Sequence, residues 1–124
     1  MLISLSQVRE LEEAGNIRGG VMITELNTEN FEEKTKQGNA IIDFHADWCG
    51  PCKIIEPVFE KLSNEFKNIN FFKTNVDNNQ KIAAVYAVRS IPTIIFLKDD
   101  EEVDRVIGLI HEDEFKEKIK EAFK

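Results

Sequence analysis

The sequence predicts an α/β fold in which a mixed β-sheet carries helices on both faces. Short apolar segments alternate with segments of helical periodicity, in the order β-α-β-α-β-α-β-β-α. This alternation predicts parallel strands joined by helices that cover both faces of the sheet. The last two strands are separated only by the charged turn Asp99-Asp100-Glu101, so we expect that pair to be antiparallel.

Length and composition limit the classes of function. The 124 residues suffice for one domain of ordinary size, and a hydrophobic fraction of 42% can fill its core. With 16 basic and 23 acidic side chains the formal net charge is −7, which argues against binding to nucleic acid or to an anionic membrane surface. No apolar run approaches the roughly 18 residues of a membrane span, and the first residues lack the basic region of a secretion signal. We therefore expect a cytoplasmic protein, by default a monomer, whose thiols are kept reduced.

Residues 1–21 are predicted to form an extension outside a compact domain of residues 22–124. A capping-box pattern and apolar residues at helical spacing predict a short helix there, built on Ser4, Leu5, Gln7, Val8 and Leu11. Gly15 would end this helix, and the polar residues 16–20, which include glycines, resemble a linker. A second interpretation is that Met22 is the true start of the protein.

The domain is predicted to begin with two strands and the helix between them. Val21–Leu26 has the composition of a short strand. Thr28 is predicted to cap a helix that runs to about Gln37 and stops at Gly38. The apolar run Ala40–Phe44 is short enough for a buried strand.

The longest helix is predicted over Pro51–Phe66. Its apolar residues are expected to share one face, which would pack against the sheet; they are Ile54, Ile55, Val58, Phe59, Leu62 and Phe66. Pro57 lies inside this helix and is expected to kink it, because its ring removes one backbone donor and crowds the preceding turn.

The second half of the domain completes the alternation. Ile69–Val76 is predicted as a strand and Asn79–Val85 as a short helix. Ile91–Leu97 is almost entirely apolar, as a central strand would be, and Val103–Leu109 is predicted as an edge strand. Glu112–Phe123 is predicted as the closing helix, with an apolar face of Phe115, Ile119, Ala122 and Phe123.

Two cysteines stand where the second strand meets the longest helix, in the segment Trp48-Cys49-Gly50-Pro51-Cys52-Lys53. Their spacing can place both sulfur atoms on one helical turn, with Cys49 at the helix start facing solvent and Cys52 covered. The free N–H groups and the dipole of a first turn favour a thiolate, so we expect the pKa of Cys49 to lie below that of an ordinary thiol. Cys49 would then attack a disulfide, and Cys52 would resolve the mixed disulfide. Pro51 suits a helix start because its missing N–H costs nothing there, and Gly50 leaves room for a partner backbone.

A Cys-x-x-Cys pair can also be half of a zinc site or an inert structural pair. Four zinc ligands within one chain would have to include both histidines, His45 and His111, and neither stands at the usual spacing. Zinc binding would therefore be expected mostly through a dimer. An inert pair would not need Gly-Pro at a helix start, so we expect a redox-active pair and no metal.

At these residues the chain resembles the thioredoxin family. The resemblance rests on the motifs F-H-A-D-W-C-G-P-C-K at residues 44–53 and I-P-T at residues 91–93, and on Gly108. It extends over about residues 22–124 and implies a central mixed five-stranded sheet flanked by four helices. It also implies a protein-disulfide reductase that needs no bound cofactor and is itself reduced by thioredoxin reductase. Gly-Pro between the cysteines is the form found in the reducing members of the family.

The resemblance assigns roles to two charged residues. Asp43 lies in an apolar strand six residues before Cys49, where burial would raise the pKa of its carboxyl. The matching family residue moves the proton of the buried thiol, here that of Cys52. Lys73 matches a lysine near that carboxylate. From the residues alone, Asp43 could instead lie at the rim of the sheet and Lys73 on an exposed strand.

The resemblance also implies an apolar patch that binds partner proteins, made of Trp48, Gly50, Pro51, Ile91, Pro92 and Gly108. The family has a cis-proline at the position of Pro92, which would bring the backbone of Ile91 beside Cys49, where it can pair with an extended substrate. From the residues alone, Trp48 could belong to the core and Gly108 to a strand bulge.

His45 departs from the family pattern, in which tryptophan is common four residues before the first cysteine. A histidine there can titrate near neutral pH, or it can serve as an aromatic substitute at the surface. Two alternatives to disulfide reduction remain open. One is a binding subunit in which the cysteines are incidental; the other is a disulfide isomerase or oxidant on the same fold, which Gly50-Pro51 disfavours.

Overall fold

A five-stranded mixed sheet forms the centre of the molecule. The computed structural model describes residues 23–124, so the predicted helix and linker within residues 1–21 and the alternative start at Met22 lie outside the described residues. The strands are β1 (Ile23–Glu25), β2 (Asn39–His45), β3 (Asn70–Asn75), β4 (Thr93–Lys98) and β5 (Glu101–Ile107). They lie side by side in the order β1-β3-β2-β4-β5. β3 is parallel to β1 and β2, whereas β4 is antiparallel to β2 and β5.

Four helices connect or follow these strands within residues 23–124. They are α1 (Phe31–Thr35), α2 (Gly50–Glu65), α3 (Gln80–Val85) and α4 (Glu112–Ala122). The predicted fold class, the order of the elements and the antiparallel last pair are thereby confirmed. No helix in the described range is both long and apolar enough to cross a membrane.

Side-chain alternation along β2 divides the core into two layers. Ile41 belongs to the layer covered by α2 and α4, and Ile42 to the layer covered by α1 and α3. In the first layer Phe59 of α2 packs edge-to-face against Phe71 of β3, with ring centroids 5.1 Å apart. The same alternation puts Asp43 on the α2 face, beneath the helix that carries the cysteines.

The start of α1 differs from the prediction. The helix begins at Phe31, and Thr28 does not cap it. Instead, the side-chain Oδ1 of Asn27 accepts a hydrogen bond of 2.9 Å from the N–H of Asn30. An asparagine one residue earlier therefore stabilises the turn that leads into the helix. Both residue types can accept such a hydrogen bond, so residue type alone does not decide which of them does.

The bounds of β5 and the packing of Ile54 also differ. The turn before β5 consists only of Asp99 and Asp100, both with positive φ (49° and 70°), so the strand begins at Glu101 and ends at Ile107 rather than spanning 103–109. The side chain of Ile54 is 64% exposed, because it lies about 140° around the helix from the buried Phe59. The helix is continuous through Pro57, and the kink there stays a prediction.

Candidate active site

Cys49 and Cys52 form a disulfide at the amino end of α2, with their Cα atoms 5.3 Å apart. Cys49 is the N-cap residue, and its Sγ accepts a hydrogen bond of 3.2 Å from the N–H of Cys52. Pro51 occupies the first turn, where a missing N–H leaves no helical bond unmade. The sulfur of Cys49 therefore already lies where the N–H groups of a first turn stabilise a thiolate.

The expected difference in exposure between the two cysteines is absent. Cys49 and Cys52 are both 3% exposed. The structure holds the pair oxidised, and the bond keeps the Sγ of Cys49 against the first turn instead of facing solvent.

No group of three or more His, Cys, Asp and Glu side chains in residues 23–124 is arranged to hold a metal ion. In this form the two sulfur atoms are bonded to each other, so neither is a thiolate ligand.

Asp43 is a buried carboxyl on the same side of the sheet as α2. It is 4% exposed, and its Oδ1 has no hydrogen-bond partner among the described residues. Burial, and secondly the negative charge of Glu56, raise the pKa of Asp43 from 3.8 to about 7, although Lys73 lowers it. The alternative that Asp43 lies at the rim of the sheet is wrong. A carboxyl with this pKa exchanges its proton near neutral pH.

Lys73 is the lateral neighbour of Asp43 on β3, and Glu25 is the lateral neighbour of Lys73 on β1. The ammonium group of Lys73 lies 4.0 Å from a carboxylate oxygen of Glu25, and its side chain is 36% exposed. Lys73 thus acts on Asp43 as a nearby positive charge while its ion pair is with Glu25.

His45 follows Asp43 on the same face of β2, two residues further on. It is half-buried, and its Nε2 has no hydrogen-bond partner among the described residues. Burial lowers the pKa of His45 below 6.5, and Lys73 lowers it further, against three acidic neighbours that raise it. The imidazole is therefore neutral at pH 7 and turns positive only in acid.

Two backbone features meet where β4 begins and β5 ends. The Ile91–Pro92 peptide bond is cis, as the resemblance implies, and the carbonyl of Pro92 accepts a hydrogen bond of 2.9 Å from the N–H of Gly108. Gly108 has a φ of 90°, which favours glycine, and a Cβ there or at Gly50 would meet no atom within 4 Å. Gly108 lies beyond the end of β5 at Ile107, and the irregularity in the pairing of β4 with β5 lies between Phe96 and Leu97, so the bulge alternative for Gly108 is wrong.

Trp48 lies at the surface rather than in the core. Its side chain is 70% exposed, and its Nε1 donates a hydrogen bond of 2.8 Å to Oδ2 of Asp77. A cleft of about 360 Å³ begins at this indole and is lined by Trp48, Val76, Val88, Arg89, Ser90 and Ile91. An apolar cleft with an exposed aromatic rim, next to a redox-active cysteine, is suited to bind another polypeptide.

Two residues at the site are absent from the sequence-based assignment. Glu56 stands four residues after Cys52, a spacing that puts both on one side of a helix, and this signal could have identified it. Asp77 follows β3, whose end adjoins the end of β2; only the pairing of these strands shows that it reaches Trp48.

Comparisons with known proteins agree with this geometry. A family model described as Thioredoxin matches residues 22–121. The thioredoxin of Chlamydia caviae is 45% identical over 92 residues, which cover 74% of this chain and 90% of that protein. The thioredoxin of Borreliella burgdorferi is 46% identical over 85 residues, which cover 68% of this chain and 73% of that protein.

The fold is similar to that of a solved structure. Its title is "Structural basis of the thiol resolving mechanism in yeast mitochondrial 1-Cys peroxiredoxin via glutathione/thioredoxin systems". The TM-score is 0.73 at 33% identity, and the match covers 80% of this chain and 94% of that chain. Similarity in sequence and in fold therefore extends over the part of the chain that holds both cysteines.

Proposed function

The chain belongs to the thioredoxin family and is a protein-disulfide reductase, and from this premise we propose how its residues share the reaction. The thiolate of Cys49 attacks one sulfur of a substrate disulfide. A bond forms between Cys49 and that sulfur, and the other substrate sulfur leaves as a thiolate that takes up a proton. The position of Cys49 at the N-cap of α2 supports its role as the nucleophile.

Cys52 and Asp43 complete the reaction. The Cys52 thiol passes its proton to the carboxylate of Asp43, and the resulting thiolate attacks the Sγ of Cys49. The mixed disulfide breaks, the second substrate thiol is released, and the Cys49–Cys52 disulfide remains. Two electrons have then moved from the cysteine pair to the substrate. The observation that carries this proposal is a buried carboxyl with a pKa of about 7 beneath the helix of the disulfide. Lys73 assists by its charge beside Asp43.

The substrate binds along the exposed surface around the disulfide. Its patch consists of Trp48, Gly50, Pro51, Ile91, Pro92 and Gly108. Support comes from the exposed indole of Trp48 and from the open space beside both glycines. An extended substrate strand pairs with the backbone of Ile91, which requires little of the substrate sequence.

The partners follow from the reaction. Thioredoxin reductase returns the Cys49–Cys52 disulfide to the dithiol, and disulfide-containing proteins are the substrates. The protein works in the cytoplasm as a monomer, through the domain of residues 22–124, and the family match over residues 22–121 supports this boundary.

A trapping experiment tests the assignment of the two cysteines. Cys52→Ser leaves the mixed disulfide unresolved, so the chain is expected to accumulate as a covalent adduct with a disulfide-containing protein. Cys49→Ser is the matched control and is expected to trap nothing. Mass spectrometry of the adduct, with and without reductant, identifies the linked cysteine; trapping by Cys49→Ser would refute the assignment.

The reduction potential tests the direction of the reaction. Titration in a redox buffer, followed by the fluorescence of the neighbouring Trp48, is expected to give about −270 mV, which suits a reductant in the cytosol. A potential near about −180 mV would indicate a disulfide isomerase or oxidant instead.

A further inference from the structure

A row of charged side chains crosses the sheet beneath α2. Glu25, Lys73 and Asp43 are lateral neighbours on β1, β3 and β2. Two residues before them, Ile23 and Phe71 pack in the core layer that α2 covers. Because side chains alternate along a strand, all three charged residues lie on that same face. The row thus joins a buried carboxyl to the exposed edge of the sheet through one lysine.

Glu56 approaches this row from the helix above it. It lies one helical turn after Cys52 and two turns before Ser63, and both of these residues are buried. Residues at these spacings share one side of a helix, so Glu56 borders the face that packs on the sheet. Glu56 itself is exposed, which places its carboxylate at the solvent edge of the site.

Glu56 on α2 and Lys73 on the neighbouring strand β3 therefore act on Asp43 with opposite signs. The positive charge of Lys73 favours the ionised carboxylate, whereas the negative charge of Glu56 favours the protonated carboxyl. On β4 the lateral neighbour of Asp43 is the apolar Ile94, which adds no charge.

We propose that Glu56 is a positioning residue of the disulfide exchange, whose negative charge opposes that of Lys73 and so helps Asp43 to hold the proton that it takes from Cys52. This inference rests on the proposed role of Asp43. Glu56 acts through the carboxyl of Asp43, from an exposed position on α2. When the Cys52 thiolate has closed the disulfide, Asp43 releases the proton to solvent and the site returns to its starting charge.

Other charges around Asp43 and His45 must be held constant in a test. Glu25 and Lys73 face the site from β1 and β3, and Asp47 follows β2; each of these contributes to the electrostatics of His45, as Glu56 does. The pKa of His45 is lowered by its burial, so its positive charge diminishes toward neutral pH. Substitutions at Glu56 leave all of these groups in place.

The test is a direct titration of Asp43 by NMR, observed at its side-chain carbon in the oxidised protein. Glu56→Gln is expected to lower the titration midpoint by about half a pH unit, a roughly threefold change in proton affinity. Glu56→Lys is expected to lower it by about twice as much. The control is Glu60→Gln, which removes a carboxylate one turn further along α2 and is expected to leave the midpoint unchanged. An unchanged midpoint in both Glu56 variants, or an equal shift in Glu60→Gln, would overturn the inference.

Salt and kinetics separate this inference from the proposed function. At about 1 M salt the effect of the exposed Glu56 is expected to shrink, because charges are then screened over about 3 Å. Stopped-flow measurement of mixed-disulfide resolution against pH is expected to show the same midpoint shift in Glu56→Gln. If Asp43→Asn resolved the mixed disulfide at the wild-type rate at every pH, the role of Asp43 and that of Glu56 in exchange would both fail. If only the titration were insensitive to Glu56, the role of Glu56 alone would fail.

Discussion

Replacing Asp43 by asparagine is expected to change how stability depends on pH. In the fold the pKa of the Asp43 carboxyl is about 7, against an ordinary value of 3.8, and burial is the main cause. Between these pH values the folded chain keeps a proton that the unfolded chain has lost, so the free energy of unfolding falls as pH rises. The gap of about three pH units is worth about 4 kcal/mol. This loss of unfolding free energy is absent below the pKa that Asp43 has in the unfolded chain and fully present above pH 7. Asparagine has no proton to lose, so Asp43→Asn removes the loss.

The assay is urea unfolding of the oxidised wild type and of Asp43→Asn, from about pH 4 to about pH 8. Every other carboxylate titrates in both chains, so the difference between the two unfolding free energies isolates Asp43. That difference is expected to shift in favour of asparagine by about 4 kcal/mol over this range. Glu33→Gln, which removes an exposed carboxylate from α1, controls for the loss of one negative charge. A difference that stayed constant with pH would refute the assignment of a buried, titrating carboxyl.

Three further predictions concern packing, backbone conformation and the histidine. Phe59→Ala is expected to cost about 3–5 kcal/mol in urea unfolding because its buried ring packs in the core, whereas Ile54→Ala, at a side chain that is 64% exposed, is expected to cost less than about 1 kcal/mol. Gly108→Ala is expected to lower the free energy of unfolding by about 1 kcal/mol, because φ at Gly108 is 90°. Gly50→Ala is expected to have a smaller effect, because φ there is not positive and the space is open. Comparable losses in the two variants would contradict this account. The NMR titration midpoint of His45 is expected below 6.5, because burial lowers its pKa. The fold is then expected to lose stability as pH falls through 6.5, since the unfolded chain takes up the proton first. A midpoint at or above 6.5 would rule out a lowered pKa.

The elements that the sequence predicted best are those with an unambiguous apolar pattern. Ala40–Phe44 and Ile91–Leu97 correspond to β2 and β4, which lie in the middle of the sheet and are buried on both faces. The sequence pattern was less decisive for the first residues of α1 and of β5. The start of α1 depends on which of two neighbouring polar side chains bonds the turn, and the start of β5 depends on the left-handed conformation of Asp99 and Asp100. Both are decided by local geometry that composition does not specify.

The residues of the candidate site also include some that the sequence could predict and some that it could not. Its cysteines, and Asp43 as a buried acid, could be predicted because a carboxyl within an apolar strand and a Cys-x-x-Cys at a helix start are unusual in one short stretch of chain. The role of Asp77 could not be predicted, since its hydrogen bond with Trp48 forms only because β2 pairs with β3. The exposure of Trp48 was left open for the same reason.

The sequence by itself determined the α/β alternation, the redox pair at a helix start and the resemblance that named its chemistry, because periodicity and spacing are properties of neighbouring residues. Only the tertiary structure decided that Asp43 is buried under α2, and that burial, with the charges of Glu56 and Lys73 acting in opposite directions, brings the pKa of its carboxyl to about 7. The physical reason is that a pKa depends on the solvent and charges that surround a group. Those surroundings come from strands and a helix that are distant in the chain and meet only when it folds.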